Sequence, residues 1–118
     1  MRRPSHRPER VAEAIRQTVA AFLTDGVRDP RIGFVTVTAV EVSGDLAHAR
    51  VRVSVMGSDE EKTKSLEGLE SAARFLRVQL GRVLSLRVTP ELHFDLDRGV
   101  EHAQRIEQLL RRLKEDAG

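Results

Sequence analysis

The stretch AHARVRVSVM, residues 47–56, decides the architecture. Ala47, Ala49, Val51, Val53 and Val55 alternate with His48, Arg50, Arg52 and Ser54. In an extended chain the first set faces one way and the second set the other. The stretch therefore predicts a strand in a sheet with one buried and one solvated face. Upstream, SGD (43–45) signals a short turn, and FVTVTAVEV (34–42) is β-branched and alternating, so the two strands form a hairpin. Still further upstream, VRDPRIG (27–33) is a connecting loop with a turn at Asp29-Pro30. Before it, Val11, Ile15, Val19, Phe22 and Leu23 recur at helical spacing from Pro8 to a stop near Asp25-Gly26.

Downstream of the central strand, Ser58 with Glu61 three residues on is a capping-box signal. The helix it opens runs, with room for an interruption, to about residue 83. PELHFDLD (90–97) reads as a third strand, with Pro90 in its first position. RGVEHAQRIEQLLRRLKEDAG closes the chain as a helix with a Val100, Ala103, Ile106, Leu110 and Leu113 stripe. The order is α-β-β-α(α)-β-α, with the central helix continuous or split in two, an α+β fold with helices on one sheet face. Residues 1–7 read as a flexible basic leader and 8–97 as the domain. Residues 98–118 read as a helix packed on it, with a frayed end.

A length of 118 residues supports one domain with its own core. The absence of cysteine excludes disulfides, thiolate metal sites and cysteine catalysis. No apolar run reaches the length of a membrane span. The basic start lacks an apolar stretch behind it, so no secretory signal is expected, and the cytoplasm is the expected location. A monomer is the expected state.

Charge is distributed unevenly. Residues 58–71 hold five acids and two lysines, residues 72–89 four arginines and no acid, and residues 90–97 three acids and no cation. On a helix, Ala72, Phe75, Leu76, Leu80, Val83 and Leu84 fall on one broad arc, which predicts core, and Arg74, Arg77 and Arg82 on the other. An ordinary solvated face mixes signs and gives its cations acidic partners a turn away. The planar guanidinium fork matches phosphate oxygens. Arg74, Arg77, Arg82 and Arg87 are therefore candidate phosphate-binding residues, with Arg2, Arg3, Arg7 and Arg10 as a basic arm that is either an RNA contact or a solubilising tail. Arg31 belongs to the Asp29-Pro30-Arg31 turn and is a candidate RNA contact as well. Tryptophan and tyrosine are absent, and Phe22, Phe75 and Phe94 fall on apolar faces. Recognition by backbone and shape is expected, without a stacking platform.

Other constellations are thinner. His93, Asp95 and Asp97 share one side of a strand and could ligate a divalent metal, but no second cluster supplies further ligands. They are expected instead to form a polar face or to pair with Arg50 and Arg52. His6, His48 and His102 are scattered over a tail, a strand and a helix. No Gly-x-Ser-x-Gly elbow or phosphate-binding Gly-Lys-[Ser/Thr] loop is present. A small metal enzyme built on the His93 face, and an adaptor whose basic helix meets an acidic protein, are the rival readings.

The chain resembles the ribosome-binding factor A family over nearly its whole length. The resemblance is carried by RPERVAEAIRQTVAAFL, VRDPRIGFVTVTAVEVSGDLAHARVRVSV, LRVQLGRVLSLRVTPELHFDLD and GVEHAQRIEQLL. It implies a type II KH-like domain with a mixed three-stranded sheet. It also implies a kink between two central helices, patterned Ala-x-Gly in the family, where this chain reads Ala72-Ala73-Arg74. The implied function is non-enzymatic: binding the free, immature small ribosomal subunit and its rRNA, aiding 5′-end maturation, and supporting growth in the cold. An assembly GTPase is an implied partner in some members. No cofactor, metal, membrane or small-molecule substrate is implied.

Overall fold

The computed structural model contains, in chain order, α1 (Pro8–Thr24), β1 (Val35–Val42), β2 (His48–Val55), α2 (Asp59–Leu84), β3 (Glu91–Leu96) and α3 (Gly99–Ala117). It describes residues 7–25, 28–85 and 89–117, without the side chains of residues 100–106, 116 and 117. The predicted strands are all present. β1 runs antiparallel to β2 from Val35↔Val55 to Val42↔Ala49, and β3 runs parallel to β2 from His48↔Glu91 to Val53↔Leu96. The sheet is thus mixed, in the order β1-β2-β3. A parallel pair needs a long crossover, and α2 supplies it.

The alternation of β2 is realised in burial. Ala49, Val51 and Val53 are fully buried, and Leu92 and Phe94 of β3 join them. Val11, Ile15 and Val19 of α1 and Leu69, Leu76 and Leu80 of α2 close the same core. Both helices therefore cover one face of the sheet, while His48, Arg50, Glu91, His93 and Asp95 stay exposed on the other. A bulge between Val37 and Ala39 frees Thr38, whose hydroxyl donates to the Arg52 carbonyl at 3.3 Å.

The capping box at Ser58 is formed. The Glu61 N–H donates to Ser58 Oγ at 3.2 Å, and the Ser58 N–H donates to Glu61 Oε1 at 3.1 Å. Gly57, at φ 127°, makes the turn into it. Farther along, α2 lies against the loop before β1. A Cβ on Gly68 would sit 2.5 Å from Ile32 Cγ1, so only glycine allows this approach. Ser65, buried, accepts the Gly33 N–H and donates to the Arg31 carbonyl.

Two expectations are corrected. The predicted pair of central helices is one helix of 26 residues, and Ala72, Ala73 and Arg74 all lie inside it. Arg74 stands where the family pattern has glycine, and Ala-Ala-Arg is a run of strong helix formers, so nothing local breaks the hydrogen-bond ladder. The closing helix forms, but Leu109, Leu110 and Leu113 are each more than half exposed. At these residues α3 does not pack on the domain as its stripe predicted.

Candidate nucleic-acid interface

The second half of α2 meets the sheet through a narrower stripe than the sequence suggests. Leu69, Leu76, Leu80 and Leu84 are buried, whereas Phe75, Val78 and Val83 are 53%, 52% and 65% exposed. Phe75 and Val83 leave the predicted core arc because they flank this stripe on the side of α1. Phe75 leans on Phe22, with ring centroids 6.0 Å apart.

The arginines divide. Arg74 and Arg82 are exposed. Among the described residues neither makes an ion pair or side-chain hydrogen bond. Arg77 does not join them. Its Nε donates to the Pro90 carbonyl at 3.1 Å and its NH2 group to the Thr89 carbonyl at 3.0 Å. One heptad earlier, and so on nearly the same helix face, Glu70 accepts the Phe94 N–H at 3.2 Å. These two side chains fasten β3 to α2. The opposite-arc placement of Arg77 is thus corrected: about 140° of helical rotation separates it from Arg82 and turns it toward β3.

Arg31 is likewise engaged. It grips Asp29 through Nε at 3.0 and 3.2 Å and through NH2 at 2.6 Å, and NH2 reaches Ser71 Oγ at 3.1 Å. The Asp29 carboxyl is held below its ordinary value by the Arg31 side-chain and backbone hydrogen bonds, and the guanidinium is raised by the same contact. The turn is stapled to itself and, through Ser71, to α2. Arg7 and Arg10 lie at the start of α1, exposed. Arg10 lines a shallow cavity with Glu13, Ala14, Gln17, Val83 and Leu84, so the start of α1 lies beside the end of α2. Arg2, Arg3 and Arg87 lie outside the described residues.

Two features escaped the sequence reading. Arg28 lines a groove of about 590 Å³ with Phe22, Phe75, Gln79 and Val83, which puts a further exposed cation next to the helix. Phe75 and Phe34 are exposed aromatics, where the phenylalanine at 75 was expected in the core. The face therefore offers exposed Arg74, Arg82, Arg10 and Arg28 around an apolar strip. Its cations can meet phosphate oxygens, and its strip can cover sugar and base edges.

The outer face of the sheet behaves differently. Arg50 pairs with Asp95 at 3.3 Å, as expected, and Arg52 pairs with Glu41 of β1 at 3.1 Å. Asp97 accepts the Gly99 N–H at 3.0 Å. Its carboxyl is held below the ordinary range, first by the Thr38 hydroxyl and then by that amide. The sequence left His48 apart from His93, but the parallel register brings the rings together, Nδ1 to Nε2, at 3.1 Å.

Comparison with known proteins agrees with this architecture. A profile of the family described as ribosome-binding factor A matches residues 7–110. The ribosome-binding factor A of Gemmatimonas aurantiaca is 56% identical over 111 residues, covering 93% of this chain and 76% of that relative. The crystal structure of ribosome-binding factor A from Thermus thermophilus superposes with a TM-score of 0.67 at 27% identity, over 78% of this chain and 97% of the other. A Thermus thermophilus homology model fitted into a cryo-electron-microscopy map of a 30S–RbfA complex gives a TM-score of 0.57 at 29% identity, over 79% and 93% of the two chains.

Proposed function

We propose that this chain, which belongs to the ribosome-binding factor A family, docks on the free small ribosomal subunit through the cationic half of α2. A homology model of the Thermus thermophilus relative is described as fitted into a map of a 30S complex, and that supports the choice of partner. The observation that carries the interface is the pair Arg74 and Arg82, exposed and unpaired among the described residues on a segment with no acid. Arg10 and Arg28 flank it, and Arg2, Arg3 and Arg7 are candidate further contacts from the basic start of the sequence. Arg87 follows in sequence. Arg77 and Arg31 serve the interface indirectly, by holding β3 and the 29–33 loop in place.

The role is that of a binding factor rather than an enzyme. The chain rests against immature small-subunit rRNA, aids 5′-end maturation, and leaves before translation, with an assembly GTPase as a releasing partner. Its place of work is the cytoplasm, and among the described residues no helix is long and apolar enough to cross a membrane. Binding is electrostatic, with a log–log salt slope of roughly −2 to −4 for about three to five neutralised phosphates. Co-sedimentation with small subunits, large subunits and whole ribosomes across a salt series tests the reading. Salt-sensitive association with free small subunits alone is the expected result. Equal association with all three particles would contradict it, and capture that survives nuclease would point to an acidic protein partner.

A further inference from the structure

On the sheet face turned away from both helices, β2 and β3 begin side by side. The register sets His48 opposite Glu91 and Arg50 opposite His93. His48, Glu91 and His93 share this face at the start of the two strands, and the result is a triangle of donors. His48 Nδ1 lies 3.1 Å from His93 Nε2 and 3.7 Å from Glu91 Oε2, and one ligand atom from each residue falls within 4.8 Å of the others. Nitrogen donors bound to tetrahedral zinc at 2.0–2.1 Å are about 3.3 Å apart. The two spacings from His48 differ from that by a few tenths of an ångström, and the third edge, between His93 and Glu91, stays within 4.8 Å, so a small rotation of the exposed Glu91 side chain closes the triangle.

We propose that His48, Glu91 and His93 form a binding site for a divalent transition-metal ion, with zinc as the fitting member. Two imidazoles and one carboxylate are borderline donors, which favour zinc, nickel or copper over magnesium or calcium. In a hydrogen bond between two ring nitrogens one donates and the other accepts, as the tautomers decide. With the ion bound, each ring presents a lone pair inward and carries its proton on the far nitrogen. Three protein ligands leave a fourth position for water or an external oxygen.

The backbone beneath the site is fixed before any ion arrives. The His48 N–H donates to Ser43 Oγ at 3.0 Å, and the His48 carbonyl accepts the Ser43 N–H at 2.9 Å. The Glu91 N–H donates to the Ala47 carbonyl at 2.9 Å, tying the two strand starts together. Arg50, opposite His93 in the register, is engaged by Asp95, and Glu41 of β1 is engaged by Arg52. The His48 and Glu91 side chains are more than half exposed and His93 is exposed as well, so an ion has open access. The cost of assembling the site is therefore low.

Isothermal titration of the full chain with zinc chloride tests the proposal. One ion per chain is expected, together with an upward shift of the melting temperature. His48→Gln or His93→Gln should each weaken binding by at least the roughly 10–100-fold that loss of an outer-shell partner costs. Both positions are exposed, and circular dichroism verifies that each variant keeps its fold. A double variant, His6→Gln with His102→Gln, should bind as the parent does. Absence of saturable one-to-one binding would overturn the proposal. So would parental affinity in H48Q and H93Q, or loss of binding in the double variant.

Discussion

The two halves of α2 share one helix and do opposite work. The first half, from Asp59 to Ser71, spends its polar side chains on the protein itself. Ser58 and Glu61 cap its start, Ser65 and Ser71 hold the loop before β1, Glu70 holds β3, and Gly68 admits Ile32. The second half keeps only Arg77 for that purpose and presents Arg74, Arg82, Phe75, Val78 and Val83 to the outside. The acids sit where the fold is tied down, and the unpaired cations sit where nothing among the described residues neutralises them. The outer sheet face extends the lesson: its arginines have acidic partners and are not free to bind phosphate.

The largest expected effect strikes the presenting half. Arg74→Glu with Arg82→Glu removes two charge-assisted contacts at about 1.5 kcal/mol or more each, a loss of roughly a hundredfold in small-subunit affinity. The melting temperature should stay near that of the parent, since neither side chain has a partner to lose among the described residues. A hundredfold loss accompanied by unfolding would break the contrast.

Next comes Arg77→Ala, one arginine with the opposite role. It strips the Thr89 and Pro90 carbonyls of their donors and should cost about 2 kcal/mol in urea unfolding. Affinity per folded molecule should change far less than in the double reversal. Ser58→Ala, which opens the capping box, should cost about 1 kcal/mol by the same measurement, with binding untouched.

The smallest effect is an acid one, confined to the anchoring half and the turns. Glu61 is held below its ordinary value of 4.5 by the Ser58 N–H and hydroxyl, and Asp29 below 3.8 by Arg31. Asp45 is lowered by the Ser43 hydroxyl and then the Ala47 N–H. Each folded value lies below the unfolded one, so the stabilisation is present above those ordinary values. It is lost as pH falls through the lower folded values. Protection from amide exchange, relative to the intrinsic rate at each pH, should fall first in that window near residues 31–33 and 58–62, ahead of residues 74–84, which carry no acid.

Much of this was legible in the sequence, for local reasons. Alternation in β2, the Ser58–Glu61 spacing and the Val11, Ile15, Val19 stripe each report a short-range preference, and each element formed where its pattern lies. The charge split along α2 was equally plain. What stayed hidden depends on distant partners. Arg77 looks like its neighbours until β3 arrives beside it, and Phe75 reads as core until the course of α1 is known. The kink expected at Ala72-Ala73-Arg74 came from the family pattern, whereas the local residues favour a continuous helix. His48 and His93 meet because of a register between strands separated by the whole of α2, and alternation fixes a residue's face but not its partner.

The most direct test of the central claim is the salt dependence of small-subunit binding. It is compared between the parent chain, Arg74→Gln with Arg82→Gln, and Arg50→Gln with Arg52→Gln. Neutralising two phosphate-binding cations should make the log–log slope shallower by about 1.4 to 1.8 in the α2 variant. The sheet variant should keep the parental slope. Equal slopes for the parent and the α2 variant, or a loss confined to the sheet variant, would contradict the assignment of the interface to α2.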